Sequence, residues 1–145
     1  TVPLGNGDPV YFARLRAEFA APWIDYIDEP LSHEVFLSHI RDADICINFA
    51  RSDQTSATLV EAIYLDRLIV TADLDAYATL FAQTADYGGW RVARDEGELV
   101  HTFAAAVMAV AQGVVPRAFG GAELIAGHYS MAAGAAHLDP ILKLA

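Results

Sequence analysis

Residues 45–71 read ICINFARSDQTSATLVEAIYLDRLIVT. The stretch opens on Ile45-Cys46-Ile47-Asn48-Phe49, a β-branched run of the kind that forms a strand covered on both faces. A polar loop follows, Arg51-Ser52-Asp53-Gln54-Thr55-Ser56. Leu59, Val60, Ile63 and Tyr64 then recur at helical spacing, and Leu68-Ile69-Val70-Thr71 is a second short buried strand. Strand, helix and strand in so few residues form one parallel crossover unit, and ligands of such sheets sit beyond the C-terminal ends of the strands. The loop after Phe49 is therefore where a site is expected.

The same alternation continues outward. Val2-Pro3-Leu4 leads into the turn Gly5-Asn6-Gly7-Asp8, and Pro9 opens a helix carrying Tyr11, Phe12, Leu15 and Phe19. Trp23 to Ile27 alternates apolar and polar and predicts a short strand. Ser32 is placed to cap a helix with Val35, Phe36 and Ile40 on one face. Downstream, Tyr77, Leu80 and Phe81 mark a helix that Gly88-Gly89 ends, and Trp90-Arg91-Val92 predicts a strand. Glu98 to Gln112 is the clearest helix, with Leu99, Phe103, Val107 and Val110 on one face and Gly113 just past its end. Residues 122–144 read as helical, interrupted near Gly127 and Gly134. The expected fold class is α/β: a Rossmann-like parallel sheet with helices on both faces, in a single domain spanning 1–145.

Composition narrows the function. The chain has 145 residues with 54% apolar content and a net charge of −10. That charge has the wrong sign for the phosphate contacts that drive nucleic-acid binding, so no nucleic-acid partner is expected. The lone cysteine, Cys46, permits no internal disulfide and lies in an apolar run, where an inert thiol in a reducing cytoplasm is the expected reading. His33, His39, His101, His128 and His137 match no metal-binding spacing, and no metal is expected.

Asp53 and Glu61 are separated by seven residues, one in the loop and one in the helix after it. Both could face a ligand at that helix N-terminus, where free amides suit a phosphate and a carboxylate takes sugar hydroxyls. A bland alternative stands beside this. Thr58-Leu59-Val60-Glu61 has the form of a capping box, with Glu61 returning to the Thr58 amide, and Asp53 could simply cap the loop.

The segment Leu31–Val92 resembles the donor-binding half of retaining glycosyltransferases of the GT-B fold, the large group 1 or family 4 type. That family carries a helix ending in "aD" and an apolar strand, then a loop and helix with "S-E-G-F-G-x-x-x-x-E-A", then "G-x-P-V-I-A-T-D". Ala43-Asp44, Ile45–Phe49, Ser52-Asp53 through Glu61-Ala62, and Asp66 through Asp73 stand at these landmarks. Tyr87–Val92 resembles the family's "N-G-x-L-V" strand, and Tyr129-Ser130 its "F-S-W". The resemblance implies that Asp53 contacts the donor sugar and Glu61 the ribose. It implies that the backbone of Gln54, Thr55, Ser56, Ala57, Thr58 and Leu59 holds the diphosphate, and that the turn at Gly5 and Gly7 lies near the donor. The resemblance implies a nucleotide-diphosphate sugar as donor, with no metal or other cofactor.

The resemblance further implies a longer two-domain chain, in which an N-terminal acceptor half precedes residue 1 and the part seen here is inactive alone. That longer chain would be cytoplasmic, held at the membrane face through the missing half. The family's first strand in this domain is missing, so either a partner chain or a homodimer is expected to cover the edge of the Ile45–Phe49 strand. The family Glu is Asp53, its Gly-Phe-Gly is Gln54-Thr55-Ser56, and its Gly and Pro are Asp66 and Leu68. These departures also fit a catalytically inactive glycosyltransferase-like module for binding or assembly.

Overall fold

A computed structural model describes residues 9–27, 30–48, 50, 53–54, 56–116 and 118–129. The expected strand and turn at Val2–Gly7, with Gly5 and Gly7, lie outside these residues, as do Thr55, His137 and the last predicted helical stretch beyond Tyr129. The chain divides into two compact units, residues 1–36 and 37–145.

In the first unit, α1 (Pro9–Glu18) begins at the proline, whose missing N–H costs nothing in a first turn. The predicted strand at Trp23–Ile27 does not form; the segment is a turn followed by irregular chain. Alternation alone cannot hold a strand without a neighbour to accept its ladder bonds. Here Ile24 N–H closes a turn onto Ala21 O, and Tyr26 Oη donates to Phe19 O at 3.4 Å. Trp23 is 80% exposed. Ser32 begins the next helix as expected: its Oγ accepts from Val35 N–H and its carbonyl from Phe36 N–H.

That helix, α2 (His33–Asp42), leads to the parallel sheet of the second unit. β1 (Ile45–Asn48), β2 (Leu68–Ala72) and β3 (Trp90–Ala93) lie in the order β1-β2-β3, with Ile45 opposite Leu68 and Ile69 opposite Trp90. Between them run α3 (Ala57–Tyr64), a 3-10 turn (Asp75–Tyr77) and α4 (Ala78–Gln83). α5 (Glu96–Ala111) and α6 (Gly121–Tyr129) follow. Parallel crossovers are right-handed almost without exception, which puts α3 and α4 on one face; α5, leaving the edge strand β3, covers the other. The fold is α/β and Rossmann-like in this sense.

The core follows the strand period. Leu68, Val70 and Ala93 meet Leu99 and Ala106 of α5, with Ile45, Val110, Val115 and Phe119 packed around them. α3 packs on β2 and α6 and buries Leu59, Ala62 and Ile63. β2 alone is covered on both faces. β1 was expected to be so, but Ile47 is 43% exposed, because among the described residues β1 has only β2 as a neighbour.

The long helix is also corrected. It starts two residues earlier than expected: Asp95 Oδ1 caps Glu98 N–H at 2.8 Å while Glu98 Oε2 accepts from Arg94 N–H. Gly113 ends it at φ +66, where Gly113 N–H bonds Val110 O and Val114 N–H bonds Ala109 O, the double bond of a left-handed glycine cap. Its buried positions are Leu99 and Ala106. Phe103 and Val107 are 37% and 42% exposed and instead border an open groove of about 530 Å³ with Ile45 and Ile47 of β1.

α3 closes with the same cap geometry around a non-glycine residue. Asp66 has φ +55, with Asp66 N–H on Ile63 O and Arg67 N–H on Ala62 O. Its carboxylate explains why aspartate stands at this corner: Oδ1 accepts from Phe119 N–H at 3.1 Å and Gly121 N–H at 2.7 Å, tying the start of α6 to the end of α3. Arg67 then satisfies the end of α2, donating from one Nη to Arg41 O and Ala43 O.

Candidate functional site

The loop beyond β1 is organised by one polar side chain at the end of an apolar strand. Asn48 Nδ2 donates to Ser56 Oγ at 3.2 Å and to Tyr77 Oη at 3.1 Å, and Asn48 Oδ1 accepts from Ala50 N–H. Tyr77 Oη in turn donates to Asp53 Oδ2 at 2.6 Å. Asp53 Oδ1 accepts from Gln54 N–H at 2.7 Å. Ser56 is the N-cap of α3 and takes Leu59 N–H on its Oγ. Strand end, loop carboxylate, helix cap and the 3-10 turn after β2 are thus one hydrogen-bonded unit.

Tyr77 is the buried anchor of that unit, 1% exposed. Burial first, and then the hydrogen bond and negative charge of Asp53, push its hydroxyl up to about 12, so it holds its proton and acts as a donor. Its ring is set edge-on to Phe81, and Phe81 edge-on to Trp90, whose indole N–H donates to Thr84 Oγ1. Asp53 itself is an exposed residue.

Of the residues singled out in the sequence, Asp53 and Ser56 join this unit directly. Gln54 contributes its amide, and Leu59 binds the cap. Ala57 and Thr58 form the first turn of α3, whose leading amides have no partner within the helix. Glu61 is half-buried on the second turn of α3, and the bonds that join Asn48, Asp53, Ser56 and Tyr77 do not include it. The capping box expected at Thr58–Glu61 is corrected: Ser56 is the cap, so Thr58 already lies inside the helix. Sequence reasoning missed Asn48 and Tyr77. Asn48 carried a signal, a lone amide closing a β-branched run. Tyr77 carried none, since it meets Asp53 from 24 residues away.

A pocket of about 210 Å³ opens against this unit. It is lined by the polar residues Ser56, Thr79, Gln83 and Tyr129 and by Ala76, Tyr77 and Leu80. Tyr129 Oη donates to Gln83 Oε1 at 2.7 Å across its rim.

Cys46 is half-buried, and burial pushes its thiol up, away from the reactive thiolate. His33, His39, His101 and His128 are exposed. Among the described residues no group of three His, Cys, Asp or Glu side chains is placed to hold a metal, and no helix is long and apolar enough to cross a membrane. Comparisons with family models, with curated proteins and with solved structures find no match.

Proposed function

We propose that this chain is a donor-binding domain for a nucleotide-diphosphate sugar, the half of a retaining GT-B-type glycosyltransferase that holds the leaving group. The observation that carries the reading is the stationing of Asp53: an exposed residue whose carboxylate is fixed by Tyr77 at the C-terminal edge of a parallel sheet, beside the N-terminus of α3. A carboxylate there accepts sugar hydroxyls. The amides of Ala57 and Thr58, with the positive end of the α3 dipole, suit the diphosphate and would stabilise its charge as it departs. Glu61 is assigned to the ribose. Sugar transfer belongs to the complete two-half protein, in a cytoplasmic setting that suits the single thiol of Cys46.

A second reading, a catalytically inactive binding module, is favoured by one observation. Both Asp53 oxygens already accept bonds from within the chain, and Ser56 Oγ occupies the Leu59 amide. Titration calorimetry with UDP-, GDP- and ADP-sugars tests the first reading. Binding of one of them that is lost in Asp53→Asn and Glu61→Gln is the expected result. Absence of binding across the panel overturns it.

A further inference from the structure

The pocket beside Tyr77 has a definite chemical character. At about 210 Å³ it lies below the ~300–1,000 Å³ of sites that enclose a drug-sized ligand, and holds the volume of roughly seven waters. That is room for one saturated ring with its substituents and not for a nucleotide. No ionised side chain lines it, so a phosphate or carboxylate entering it would shed water without gaining a counter-charge.

Its polar residues differ in what they have left to offer. Ser56 Oγ accepts from Asn48 Nδ2 and Leu59 N–H and bonds the Tyr77 hydroxyl, so it is spent within the chain and only bounds the pocket. Gln83 Oε1 accepts from Tyr129 Oη on one lone pair, which leaves the Gln83 amide NH₂ to donate and the second Gln83 lone pair and the Tyr129 oxygen to accept. Thr79 Oγ1 can do either. Separate donors and acceptors around hydrocarbon walls suit a ring that is apolar on its C–H faces and hydroxylated around its rim.

We propose that this pocket seats one neutral, hydroxyl-bearing ring of hexose size, held by Gln83 and Thr79 against Tyr77 and Tyr129. The inference deepens the nucleotide-sugar reading, and rests on it for the ligand's source, by assigning the sugar ring to the Tyr77 side of Asp53. It makes Gln83 and Thr79 the residues that select the sugar.

The test is protein-observed NMR on the full chain, titrated to millimolar concentration with free glucose, galactose and mannose. Glucuronate and inorganic phosphate serve as charged controls, and UDP, GDP and ADP are titrated separately. Gln83→Ala removes the donor and Ala76→Phe fills the space; both sites are partly or fully exposed, and thermal melts verify the fold. A neutral hexose should shift the signals of Ala76, Thr79, Gln83 and Tyr129, about tenfold more weakly in Gln83→Ala and not at all in Ala76→Phe. The charged controls should leave those signals in place.

The inference is overturned if no neutral hexose moves these signals, if both variants bind like the parent, or if glucuronate binds equally well. Hexose binding without nucleotide binding would sustain the pocket and end the nucleotide-sugar reading. Nucleotide binding without hexose binding would do the reverse.

Discussion

Tyr77 Oη lies 2.6 Å from Asp53 Oδ2, a hydrogen bond from the turn after β2 to the loop after β1. It joins the ends of two neighbouring parallel strands and gives the loop carboxylate a fixed position. Tyr77→Phe keeps the ring packing and removes this bond together with those from Asn48 and Ser56. Hydrogen bonds to charged groups contribute ~1.5–3 kcal/mol, so on the proposed reading nucleotide-sugar binding should weaken about tenfold in Tyr77→Phe while the melting temperature falls by only a few degrees. Calorimetry beside thermal melts checks this; unchanged affinity would mean that Asp53 needs no anchor.

Alkali should unfold the protein in a defined window. The Tyr77 hydroxyl is raised from 10.0 to about 12, and that of Tyr87 is raised as well, chiefly by burial. Below pH 10 both the folded and unfolded chains hold these protons and their full contribution to stability is present. From pH 10 to about 12 the unfolded chain releases the Tyr77 proton while the folded chain keeps it, so stability falls as pH rises. Urea melts across this range should show a shallower loss in Tyr77→Phe than in the parent.

Asp66 combines a left-handed backbone at φ +55 with two accepted amide bonds. Asp66→Ala loses both bonds and tolerates the conformation poorly, and should cost about 2–4 kcal/mol in urea unfolding. Asp66→Asn retains an acceptor oxygen and a side chain that accepts the left-handed region, and should cost least. Asp66→Gly should fall between them. A ranking with Gly best would show that backbone conformation alone matters at this corner.

Two glycines of α6 should respond in opposite directions. A Cβ at Gly121 would stand 1.8 Å from Ile63 O, so Gly121→Ala must push α6 off α3 at a cost of about 1–3 kcal/mol. A Cβ at Gly127 meets nothing within 4 Å, and Gly127→Ala should stabilise the helix by ~0.4–1 kcal/mol. Equilibrium denaturation of the two variants makes the comparison.

Along α5 the periodicity is right for Leu99 and Val110 but not for Phe103 and Val107, which are partly exposed while Ala106 is buried. Leu99→Ala should cost about 2–5 kcal/mol, whereas Val107→Lys, at an exposed position, should change stability by no more than ~0.5 kcal/mol. Equal losses at both would show that the groove beside β1 is filled in solution.

The amino-acid sequence by itself determined the elements from β1 to α5 and their order. β-branched runs at Ile45 and Leu68, helical spacing from Leu59 to Ile63, the cap at Ser32 and the stop at Gly113 are all written in neighbouring residues. Local rules failed where the deciding partner was distant. Trp23–Ile27 had the alternation of a strand but no strand to pair with. Phe103 and Val107 had the spacing of a core face, but the sheet beneath α5 places Ala106 inward instead. Thr58 and Glu61 had the pattern of a cap, yet Ser56 took the role because Asn48, at the end of β1, also bonds its hydroxyl. In the candidate site Asp53 was legible as a loop acid after a buried strand, whereas Tyr77 was not. The β1–α3–β2 crossover must fold before residues 53 and 77 meet, and a hydrogen bond made by tertiary packing leaves no periodic trace in the chain.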